Sequence, residues 1–151
     1  MGLRAAYWAM HRQTDACFAK RAVTADQFVL LALLAGDDGI TQQELVRRAS
    51  SDPNTVRAML VLLESRGLVA RRRNHTDRRA RSVTLTRKGR RTYERLWAES
   101  EPLRERLLAA FRSDETDTLV DLLVRISEAM SEAEGRRRRP RSRSSAAIVN
   151  S

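Results

Sequence analysis

Apolar residues recur along this chain at two spacings, and the changes between them mark out its elements. Leu3, Tyr7, Met10, Cys17 and Phe18 fall at roughly helical intervals, with Arg4, His11, Arg12 and Lys20 elsewhere around the wheel, which predicts an amphipathic helix at the start. Thr24 and Gln27 then form a capping box ahead of Phe28 to Leu34, a run apolar on nearly all sides that Gly36 and Gly39 stop. A helix with no polar face belongs at the centre of a core. A second capping box, Thr41 with Glu44, opens a short helix through Ala49. After Ser50 and Ser51, Asp52 as N-cap and Pro53 at the first helical position open another, running to Arg66 and closed at Gly67 by a left-handed C-cap. Two helices separated by so few residues cannot lie end to end, so the pair forms a helix-turn-helix.

The period then drops to two. Leu68 to Arg73 and Arg81 to Leu85 read as short strands with Val69, Val83 and Leu85 facing inward, and the polar, basic stretch Asn74 to Ala80 joins them as the tip of a wing. Thr86 caps a long helix carrying Tyr93, Leu96, Trp97, Leu103, Leu107, Leu108 and Phe111, which Pro102 kinks or interrupts unless a new helix starts after Ser100. Ser113 starts the last helix, with Leu119, Leu122, Leu123, Ile126 and Met130 along one face. From Gly135 the chain is too charged and too poor in apolar residues to pack, and is expected to be disordered. The expected fold class is mainly α with a small β-wing. It comprises a winged helix-turn-helix lobe over residues 24–90, a helical dimerisation lobe from residues 1–20 and 91–134, and an Arg-rich tail over 135–151.

Charge changes this picture only once it is located. The formal net charge is +10, but six arginines and no acid follow Gly135, leaving +4 for residues 1–134. The folded body is therefore only mildly basic, and nucleic-acid binding has to rest on where its arginines sit. Cys17 is the only cysteine, which excludes an intrachain disulfide and fits a reducing compartment; it reads as a small buried hydrophobe rather than a redox sensor. His11 and His75 are too few and too far apart for a metal site. No cofactor is expected, and no nucleophile paired with a base argues for an enzyme. The longest apolar run, Phe28 to Ala35, is far short of a membrane span, and no basic amphipathic helix lies spare for a membrane surface. The expected location is the cytoplasm.

The candidate chemistry lies in the helix pair and the wing. The second helix of a helix-turn-helix can enter the major groove with its N-terminal side chains nearest the base edges, which nominates Asn54, Thr55, Arg57 and Ala58. Val56, Leu60 and Leu63 fall on the opposite side as anchors. Between Arg71 and Arg81 there are six arginines against one acid, Asp77, so Arg71, Arg73, Arg78 and Arg81 are available for phosphates. The leading expectation is a sequence-specific regulator of transcription that binds double-stranded DNA. The alternative is a non-specific architectural binder whose affinity comes mostly from the tail. Apolar stripes near both ends of the chain must pack together or against a second copy, and a two-fold dimer suits pseudo-palindromic half-sites.

At this level of detail the chain resembles the multiple-antibiotic-resistance regulator (MarR) family of bacterial transcription factors. The resemblance is carried by TADQFVLLALL before the turn motif, TQQELVRRASSDPNTV across it, LLESRGLVARR entering the wing and DRRARSVTLTRKG leaving it. It implies that Asp77 orients the wing tip, that Arg79 reaches the minor groove, and that Thr55 stands near the start of the recognition helix. Leu85, Thr86 and Gly89 match the strand-to-helix exit. It implies further that the first, fifth and sixth helices build an intertwined homodimer, acting most often as a repressor. Many members bind a small aromatic ligand between the two lobes and release DNA. Trp8, His11, Phe28 and Trp97 are the aromatic candidates for such a crevice, and ordinary core packing is the competing reading. The chain departs from the pattern at Ala58, where a basic residue is common, and at Val61 and Leu62, where an acidic-basic pair is common. The resemblance therefore carries no base preference.

Overall fold

Thr24, Thr41, Asp52 and Thr86 each cap the helix start read at them from the sequence, in a computed structural model that describes residues 1–37, 39–73 and 81–138. Helix α1 (Gly2–Phe18) passes through a 3-10 turn (Ala19–Arg21) to α2 (Ala25–Gly36). Thr24 caps α2 in a complete capping box with Gln27. Strand β1 (Ile40–Thr41) leads directly into α3 (Gln42–Arg48), and α4 (Pro53–Ser65) follows. Strands β2 (Val69–Arg73) and β3 (Arg81–Leu85) precede α5 (Arg87–Glu99), α6 (Glu101–Leu108) and α7 (Ser113–Arg138).

The sheet has three strands, one more than expected, in the order β1-β3-β2 with both pairings antiparallel. The register sets Ile40 opposite Val83, and Val69 opposite Leu85. Strand β1 is too short to show alternation, and its Thr41 also caps α3, so the sequence signalled only the cap. The second capping box is half made. Thr41 accepts from the Glu44 amide, while the Glu44 carboxylate turns to Arg47 and Arg48 instead.

Residues 1–105 form one compact unit, and a second begins at Arg106. The core of the first is fully buried at Phe18, Leu30, Leu31, Leu34, Leu45, Val56, Leu60, Leu63, Val83 and Leu96, so α1 and α5 contribute to the same interior as the turn motif and sheet. Cys17 packs at the edge of this core with its thiol donating to the Glu99 carbonyl at 3.3 Å. The start of α2 is tied to α1 through Asp15, whose carboxylate accepts from the Ala25 amide at 2.7 Å while His11 bridges Asp15 and Asp26. Helix α5 approaches Leu68, just ahead of β2, so closely that a Cβ at Gly89 would overlap the Leu68 carbonyl oxygen, the same atom that accepts from the Thr86 amide.

Of the two readings of Pro102, a new helix after Ser100 is the one found: the long helix from Thr86 breaks at the buried Ser100, and α6 begins at once with Pro102 in its first turn, where the missing amide hydrogen is not needed. Two other helix ends depart from expectation. Helix α6 stops at Leu108, so Phe111 lies outside it. In the second unit α7 continues past Gly135 to Arg138, into the stretch expected to be disordered. Arginine is a good helix former, and cations at a helix C-terminus complement its dipole. Residues 139–151 lie outside the described residues. Among the described residues, no helix is long and apolar enough to cross a membrane.

Candidate nucleic-acid interface

The turn between α3 and α4 is short because Ser50 takes a left-handed backbone (φ +48°), which lets Ser50 and Ser51 donate back to Arg47 and Val46. Asp52 then starts α4, its carboxylate accepting the amides of Asn54 and Thr55, both at 2.9 Å. The Asp52 carboxyl is held below its usual range, first by the Thr55 side chain and then by the Thr55 amide. Val56, Leu60 and Leu63 are fully buried and fix the rotation of α4. That rotation exposes Asn54, Thr55, Arg57 and Ala58 together at its N-terminal end. The four residues nominated from sequence are thus presented on one side of one helix.

Helix α3 braces this end of the motif. Its Glu44 carboxylate takes Arg47 Nε at 2.8 Å and Arg48 Nε at 2.6 Å, and Arg48 reaches on to Asp37 at 3.0 Å. The two guanidiniums, Arg47's contribution being the larger, pull the Glu44 carboxyl down from 4.5 to about 2. The other end of α4 is tied as firmly. Arg66 donates through both terminal nitrogens to the Ala22 and Arg21 carbonyls at 2.5 and 2.7 Å, and Lys88 donates to the Arg66 carbonyl at 2.8 Å.

The wing differs from expectation at Arg71. On a strand, alternate residues share a face, so Arg71 lies on the side of Val69, with Val83 opposite it. Its side chain is only 14% exposed, and its Nε lies 3.0 Å from the Glu64 carboxylate of α4, without the alignment of a hydrogen bond. Arg71 thus joins β2 to α4 and is not free for phosphate. Arg72, on the other face, is exposed. The register sets Arg73 opposite Arg81 at the outer end of the ladder; their side chains, and all of Asp77, Arg78 and Arg79, lie outside the described residues.

The aromatic candidates for a ligand crevice fall into two groups. Trp8 and His11 meet edge to face at 5.9 Å, with Tyr7 beside both. Phe28 stacks on Tyr93 at 5.8 Å, and Tyr93 leads to Trp97, whose ring lies under the Arg104 guanidinium at 3.9 Å.

The fold and this helix pair have clear relatives. The MarR family pattern matches residues 23–80. The solved structure of the transcriptional repressor CouR bound to a 23-mer DNA duplex is 31% identical, with a TM-score of 0.75, covering 83% of this chain and 89% of that one. This chain belongs to the MarR family. The uncharacterized HTH-type transcriptional regulator YdgJ of Bacillus subtilis is 35% identical over 69% of this chain, and the match spans 63% of YdgJ's own length. BpsR of Bordetella bronchiseptica, whose DNA binding is regulated by 6-hydroxynicotinic acid, is 29% identical with a TM-score of 0.74 over 83% of this chain and 89% of that one. The helix after the turn, the one expected from the sequence to be the recognition helix, is α4. Sequence reasoning found its exposed residues from the cap and the apolar spacing. It missed the pairing of Arg71 with Glu64, because strand parity shows which face a residue takes but not which acid waits across it.

Proposed function

We propose that this MarR-family protein is a homodimeric, sequence-specific regulator that binds pseudo-palindromic double-stranded DNA, represses transcription in the cytoplasm and is released by a small aromatic ligand. The observation that carries this reading is the exposed N-terminal end of α4, where Asn54, Thr55, Arg57 and Ala58 stand clear of a helix anchored by Val56, Leu60 and Leu63. A helix so held inserts into the major groove, where Asn54 and Arg57 meet base edges. Arg72, Arg73, Arg78 and Arg81 serve phosphates, while Asp77 orients the tip and Arg79 enters the minor groove. DNA-bound CouR and ligand-regulated BpsR support the two halves of the reading. For the dimer, support comes from bare apolar residues in each unit: Leu3, Tyr7, Trp8 and Met10 on α1, and Leu122, Leu123, Ile126 and Met130 on α7.

Selection of bound fragments from a random duplex pool tests the proposal. A two-fold symmetric consensus is expected, and a featureless pool would overturn it in favour of an architectural binder. With that consensus in hand, Arg79→Ala is expected to weaken binding by about 1–3 kcal/mol; unchanged affinity removes Arg79 from the interface.

A further inference from the structure

We infer that the exposed face of α4 reads thymine methyl groups, so that the half-site is rich in A·T pairs where the middle of this helix lies in the groove. The inference rests on the proposal that α4 is the recognition helix. At about 100° per residue, Asn54, Ala58, Val61, Leu62 and Ser65 share one sector, opposite the buried Val56, Leu60 and Leu63. Val61 is 50% exposed and Leu62 53%. Arg57 is the only cation of α4, and its only acid, Glu64, lies against Arg71. Beyond Ala58, the next polar group in the sector is the Ser65 hydroxyl, and it donates to the Leu62 carbonyl at 2.8 Å.

Two adjacent branched aliphatics on the open side of a helix are a poor choice for solubility, and valine is a worse helix former than the alanine, glutamate or lysine that normally occupies such a site. Their use becomes plain against DNA. The major groove offers hydrogen-bond donors and acceptors at every base pair, and one apolar feature, the C5-methyl of thymine. Ala58, Val61 and Leu62 can bury that methyl. Opposite a G·C pair, they would leave the guanine O6 and N7 and the cytosine amino group dehydrated and unpaired, which is costly. The same side chains therefore favour thymine and oppose guanine, while Asn54 and Arg57 supply the polar contacts nearer the helix start.

The test uses the full chain and the consensus duplex from the selection. Each thymine in the half-site is replaced in turn by deoxyuridine, which keeps the hydrogen-bonding pattern and lacks only the methyl. Where α4 lies, affinity should fall roughly four-fold per methyl removed, and in a Val61→Ala, Leu62→Ala double variant that loss should shrink at the thymines those two side chains cover. Both substitutions sit on the exposed face and raise helix propensity, so the variant folds. A consensus of G·C pairs at the centre of each half-site, uracil duplexes bound as tightly as thymine duplexes, or an equal uracil penalty in the double variant would each overturn the inference while leaving DNA binding intact. A pool with no preferred sequence would overturn the functional proposal itself.

Discussion

At position 89, glycine's missing methyl group sets how closely α5 meets the base of the wing. The Leu68 carbonyl accepts from the Thr86 amide at 3.1 Å and would collide with any Cβ at residue 89, so the exit from α4 and the entry to α5 can meet only through a bare backbone. Gly89→Ala must therefore push apart two elements that share a packed core. A loss of about 1–3 kcal/mol is expected, as for other overpacked sites, read as a lower melting temperature; a variant as stable as the parent would show that the contact yields freely. Arg71 makes a complementary point. Its charge suggested phosphate contact, yet its place on the inner face of β2 commits it to Glu64. A count of arginines in the wing overstates the free positive charge by at least that one.

At the scale of elements, the caps were legible and the sheet edge was not. Thr24, Thr41, Asp52 and Thr86 each accept a backbone amide from the first turn of their helix, because capping is local chemistry between residues two or three apart. Strand β1 was hidden because two residues carry no period, and its partner lies more than forty positions away. The bracing of α3 also escaped, since Glu44 had an equally good local partner in the Thr41 amide. This bracing gives a pH dependence with a definite sign. The Glu44 carboxyl lies at about 2 in the folded protein, below its ordinary 4.5, so its contribution to stability is full above the ordinary value and is lost as pH falls through the folded one. Denaturant titrations of the parent and Glu44→Gln should differ near neutral pH and converge between about pH 4.5 and pH 2. The difference should be small because the pair is exposed to solvent. A gap that stays constant across that window would rule out the Arg47 and Arg48 contacts as its source.

For the whole molecule, charge is divided between a mildly basic body and an arginine-rich end. Six arginines after Gly135 supply more of the net charge than residues 1–134 do, and arginines on such a segment suit phosphates rather than base edges. Truncation after Gly135 should weaken binding to all duplexes alike and flatten the salt dependence by about 0.9 in log K per log salt for each phosphate no longer neutralised. Equal slopes for full-length and truncated protein would dismiss the tail from the interface. In the proposed complex base discrimination belongs to α4, and its anchorage governs how finely it can be set. Arg66 and Lys88 tether its C-terminal end to the α1–α2 turn and to the start of α5, which makes the helix a lever roughly 20 Å long. A tilt of about 5° at that fulcrum carries the far tip through about 1.7 Å, several times the ~0.5 Å range over which a hydrogen bond stays good. Because Val56 near that tip is buried in the core, such a tilt needs the packing around it to shift too, and in the proposed complex it would lift Asn54 and Arg57 out of step with the bases.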